Sequence, residues 1–67
     1  MTSVITGTYE SMDAVENAVD DLLSTGIDRE KVFADKEHIQ VKVMVSPAIE
    51  PEIKEILQRH NPTSLSS

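Results

Sequence analysis

Sixty-seven residues without a cysteine admit one domain and exclude both a disulfide framework and a thiolate metal site. The net charge of −6 repels phosphate backbones, so nucleic acid is not an expected partner. The longest apolar run is too short for a bilayer and no basic-then-apolar signal pattern opens the chain, so the expectation is a cytoplasmic protein with no membrane contact.

A chain of this size buries only roughly 60% of its unfolded surface, and self-association is a common way to add buried area. The charge excess is local. Residues 1–28 hold Glu10, Asp13, Glu16, Asp20, Asp21 and Asp28 with no Lys or Arg, whereas acids and bases cancel from Arg29 onward. The first helix therefore carries a solvated acidic face, with docking of a basic partner as the sharper alternative.

Val4 to Tyr9 is rich in strand formers, interrupted by Gly7, which offers room for a helix to approach the sheet. Ser11 fits an N-cap and Asp13 suits the first turn of a helix. Met12, Val15, Val19, Leu22 and Leu23 follow at helical spacing, with Ala14 and Ala18 as small contacts. Gly26 supplies the left-handed stop, and Ile27 packs under the turn. Lys31 to Asp35 reads as a short second strand, Asp35 to His38 as a polar turn, and Ile39 to Val45 as a third strand. That third segment alternates: Ile39, Val41, Val43 and Val45 on one face, Gln40, Lys42 and Met44 on the other. Pro51 belongs near the start of a second helix whose apolar stripe is Ile49, Ile53, Ile56 and Leu57. Lys54, Arg59 and His60 fall toward its C-terminal end, and Asn61-Pro62 closes it.

The expected fold is α+β: a ferredoxin-like β-α-β-β-α(-β) sandwich, an antiparallel sheet with two helices on one face. Right-handed crossovers place the third strand between the first and second. Residues 1–61 form the single domain, and 62–67 form a polar tail in which Leu65 can anchor a short last strand. Without that strand, one edge of the first strand would expose unpaired backbone and invite another subunit.

The run Thr6-Gly-Thr-Tyr-Glu-Ser11, then Ala14, Ala18, Val19, Leu22, Leu23, Gly26, Ile27 and the segment Arg29 to Val32, resembles the opening unit of the small bacterial general stress protein (heat-induced stress protein) family. The resemblance covers about the first half of the chain. It implies a stress-linked bacterial protein and supplies no catalytic residues. Longer members of that family carry glycine-rich extensions that have no counterpart here.

No constellation points to an enzyme or a cofactor. His38 stands near Asp35 and Glu37, yet a metal needs three or four convergent ligands in fixed geometry, and His60 reads as a surface residue at a helix end. No carboxylate is recognisably paired for acid–base work, and Asp20 and Asp21 read as solvated. RNA-binding domains of this topology carry stacking aromatics on the open sheet face, whereas this chain has only Tyr9 and Phe33.

The open sheet face is the candidate binding surface. If Ile5, Gly7 and Tyr9 point to the helices, Val4, Thr6 and Thr8 point outward beside Gln40, Lys42 and Met44, and if Val32 and Ala34 also face inward, Phe33 joins them. The interaction surface is then Val4, Thr6, Thr8, Phe33, Lys42 and Met44. The leading expectation is a non-enzymatic protein-interaction or assembly module, a homodimer or the partner of another protein. The alternative is a small-molecule-sensing regulatory domain binding its ligand at a dimer seam.

Overall fold

A computed structural model describes residues 3–66. Strand β1 (Ser3–Thr8) leads into helix α1 (Met12–Thr25), a 3₁₀ turn at Arg29–Lys31, strand β2 (Val32–Asp35), strand β3 (Gln40–Val45), helix α2 (Glu50–Gln58) and strand β4 (Ser64–Ser66). The sheet order is β2-β3-β1-β4, and every neighbouring pair is antiparallel. The third strand thus lies between the first and second, as the crossover argument requires.

Local chemistry sets the boundaries. The Ser11 Oγ accepts the Ala14 amide at 3.4 Å and starts α1. At its end Gly26 takes φ 110°, its N–H bonding the Leu23 carbonyl while Ile27 N–H bonds Leu22. That double bond is a Schellman stop, and it needs a residue free to enter the left-handed region. Pro51 stands at the start of α2, where a missing N–H removes no helical hydrogen bond.

The core is one cluster on one face of the sheet. Ile5, Val41, Val43 and Val45 from the strands meet Val15, Ala18 and Leu22 of α1 and Ile53, Ile56 and Leu57 of α2, with Tyr9 closing it. Register explains the sorting. Ile5 pairs with Val43 and Gly7 with Val41, all inward, while Val4–Met44, Thr6–Lys42 and Thr8–Gln40 turn outward.

Four sequence expectations are corrected. Ile39 is no part of the third strand: it takes φ 53° at the end of the turn, and its carbonyl accepts the Tyr9 N–H at 2.9 Å. Lys31 belongs to the 3₁₀ turn rather than to β2. Arg59 and His60 lie beyond the last residue of α2. Finally, Gly7 makes room not for a helix but for a tyrosine. A Cβ at Gly7 would stand 3.2 Å from Tyr9 Cε2 and 3.4 Å from its hydroxyl oxygen.

The tail forms the short last strand. Thr63 N–H bonds the Thr8 carbonyl at 2.7 Å, and Ser64, Leu65 and Ser66 then pair with Thr8, Gly7 and Thr6. Leu65 points inward beside Gly7, half-buried, so β4 covers the Thr6–Thr8 part of the β1 edge.

Among the described residues Tyr9 is the one buried side chain with a polar tip, 3% exposed, and its hydroxyl donates to the Leu57 carbonyl at 2.8 Å. Burial pushes its pKa from 10.0 up to about 12. The neutral phenol is the form the fold holds, so its stabilisation is complete below pH 10 and is lost as pH climbs from 10 toward 12. Because Tyr9 is the only tyrosine, phenolate absorbance reads this group alone. Its midpoint should sit well above 10 in the native protein and return to about 10 in strong denaturant. Tyr9→Phe should lower stability in urea by about 1–2 kcal/mol and abolish the alkaline loss.

Candidate interaction surface

The outward face is built from alternate residues of all four strands. Val4, Thr6 and Thr8 come from β1, Gln40, Lys42 and Met44 from β3, Phe33 and Asp35 from β2, Ser64 and Ser66 from β4. Both helices lie on the opposite side, so no element of the described residues covers this face.

Its chemistry is divided. Val4 pairs with Met44 across β1 and β3, and Phe33 stands opposite Lys42, diagonal to Met44. These three large apolar side chains are exposed by 47%, 37% and 49% for Val4, Met44 and Phe33. Toward β4 the face is hydroxylic: Thr6 and Thr8 stand opposite Ser66 and Ser64, and the Gln40 amide donates to Thr8 Oγ1 at 3.1 Å. All six residues anticipated for the surface (Val4, Thr6, Thr8, Phe33, Lys42 and Met44) therefore share one face. Phe33 joins them because β2 registers Val32 on inward-facing Val43 and Ala34 on Val41.

Asp35 organises the edge of the face. Its Oδ1 accepts the Glu37 and His38 amides at 3.0 and 3.2 Å, and its Oδ2 meets His38 Nδ1 at 2.9 Å. Asp35, Glu37 and His38 form the one group of three potential metal ligands among the described residues. Both Asp35 oxygens already serve the turn, and the Lys42 ammonium stands 3.9 Å from Oδ2, where its charge opposes a cation. The cluster is a turn-closing network, with Asp35 as the side chain that mimics a backbone turn.

A second contact corrects the expectation of a solvated Asp21 and a surface His60. Asp21 is half-buried, and its Oδ2 lies 3.0 Å from His60 Nε2, with Arg59 Nη1 at 4.0 Å. This bridge ties the last turns of α1 to the turn after α2. No local signal marks it in the sequence, because its partners stand 39 positions apart.

Among the described residues no charged side chain is buried and no buried side-chain polar atom lacks a partner. No helix of the described residues is long and apolar enough to cross a membrane. No family model matches the chain, and neither curated proteins nor solved structures give a match.

The hydrogen bonds from the His38 side chain and backbone hold the Asp35 carboxyl below its ordinary value of 3.8. A depressed carboxyl stabilises the fold fully above its unfolded pKa and loses that contribution as pH falls through the folded one. An NMR titration of Asp35 should give a midpoint under 3.8, and His38→Ala should move it upward.

Proposed function

We propose that the chain is a non-enzymatic protein-interaction or assembly module of ferredoxin-like build that meets its partner through the open sheet face. The observation that carries this reading is the grouping of Val4, Phe33 and Met44, the exposed large hydrophobics, on the one face that neither helix covers. Apolar side chains gathered on one side of a small domain favour association, because a chain of this size has little interior of its own. The order β2-β3-β1-β4, with a helix after β1 and another after β3, supports the ferredoxin-like reading. The pattern from Thr6 to Val32 supports kinship with the general stress proteins, and so a stress-linked role.

The partner's side is apolar at its centre, to match Val4, Met44 and Phe33, and carries hydrogen-bonding groups opposite Thr6, Thr8 and Gln40. Lys42 and Asp35, 3.9 Å apart, are the charged pair of a face otherwise apolar and hydroxylic, and a partner carboxylate near Lys42 would compete with Asp35 for it. A second copy of the chain is the first partner to test.

Light scattering across a dilution series provides the test. The average mass should rise with concentration, and Met44→Asp should raise the dissociation constant of the face contact by about fivefold or more. Circular dichroism should show the variant folded, since Met44 points away from the core. A dilution curve unchanged by Met44→Asp would remove this face from the interface.

A further inference from the structure

The free edge of β2 offers a contact separate from the open face. β2 ends the sheet, and its register against β3 runs one-to-one from Val32–Val43 to Asp35–Gln40 with no bulge. The strand holds no proline and no lysine, so of the devices that spoil an edge it has only its short length of four residues and the charge of Asp35. Its one charge, Asp35, is taken up by the turn and by Lys42.

On the helix side this edge borders a groove of about 370 Å³ lined by Glu16, Val19, Asp20, Arg29 and Ala34. Glu16, Asp20 and Arg29 are exposed, and none has an ion-pair partner among the described residues. The groove thus sets a short apolar floor between unpaired charges of both signs.

We infer that a second copy of this chain docks along β2, edge to edge and antiparallel, with Arg29 of each copy facing Glu16 of the other. Two identical strands paired antiparallel are related by a two-fold axis perpendicular to the sheet, so both α1 helices fall on the same side. β1 and β2 run parallel and α1 returns between them, so the first turns of α1 lie over the C-terminal end of β2. Arg29 precedes the first residue of β2. The two-fold therefore carries Arg29 of one copy to the C-terminal end of the other copy's strand, the end that Glu16 overlooks. Each seam then holds two Arg29–Glu16 contacts, and Val19 and Ala34 of both copies close on one another beneath them. A basic partner would leave Arg29 unpaired and an acidic one would leave Glu16 and Asp20 unpaired, whereas a second copy brings an opposite charge to both Glu16 and Arg29.

The contact stands independently of the open-face reading, although it would extend that surface. Edge pairing joins two four-stranded sheets into one of eight strands and brings both Phe33 side chains beside the seam on the open side. Met44, on the central strand β3, lies away from it.

Charge exchange tests the inference. Arg29→Glu and Glu16→Arg each replace two attractive contacts by two repulsive ones in a homodimer, whereas a mixed dimer of the two variants restores both. Native mass spectrometry of the two variants, each carrying a different mass label, should show each alone dimerising at least about tenfold more weakly than the parent. The mixture should form almost only heterodimer. Statistical mixing, with heterodimer and homodimers near two to one to one, would overturn the edge contact while leaving a face contact standing. A parent chain monomeric at every concentration would overturn both, and a dimer broken by Met44→Asp but indifferent to the charge exchange would leave only the face.

Discussion

The Tyr9 residue ties three elements of the fold together. Its ring lies over Gly7, where any Cβ would crowd it, and its hydroxyl reaches the carbonyl of Leu57 on α2. Its backbone N–H meanwhile holds the carbonyl of Ile39 at the entry to β3. One residue therefore joins the end of β1, the start of β3 and the second helix. The phenol suits this place because it brings a large apolar body and one polar tip, and α2 supplies the acceptor near its C-terminal end.

From that constraint the division of the sheet follows. The inward side is filled by α1 and α2, by Tyr9 over the glycine gap, and by Leu65 from the last strand. The described residues hold no third helix for the other side. Val4, Phe33 and Met44 consequently stay in water, even though their alternation with Ile5, Val32 and Val43 is as regular as a buried strand's. The acidic excess of α1 lies on the far layer from this face, so the sheet side is left nearly neutral, which suits a protein contact better than the helical side does.

Much of the architecture was legible because its signals are local. Ser11, Gly26 and Pro51 each answer to a single backbone requirement, and the alternation from Val41 to Val45 assigns a face residue by residue. The strand order followed from the handedness of crossovers. What stayed hidden depends on contacts across the fold. Nothing near Ile39 in sequence announces φ 53°, because a β-branched residue enters that region only when the surroundings demand it, here a turn closed by Asp35 and a carbonyl held by Tyr9. The Asp21–His60 bridge spans 39 positions and is invisible to any window of residues. The partnership of Gly7 with Tyr9 is closer in sequence, but its spacing of two suits any inward pair on a strand and says nothing of which ring fills which gap. Period-two alternation puts Val4, Thr6 and Thr8 beside Gln40, Lys42 and Met44, whereas Asp35, Ser64 and Ser66 join them only through the register of β2 and β4; what binds there is not written in that alternation.

The Tyr9-centred interior leaves the opposite face and the β2 edge uncovered among the described residues. An NMR dilution series on the isotopically labelled chain reads their association directly. Signals of Val4, Phe33, Ala34 and Met44 should move with concentration while those of Ile5, Tyr9 and Val43 stay fixed. Spectra that do not change with concentration, or changes confined to the outer faces of α1 and α2, would contradict it.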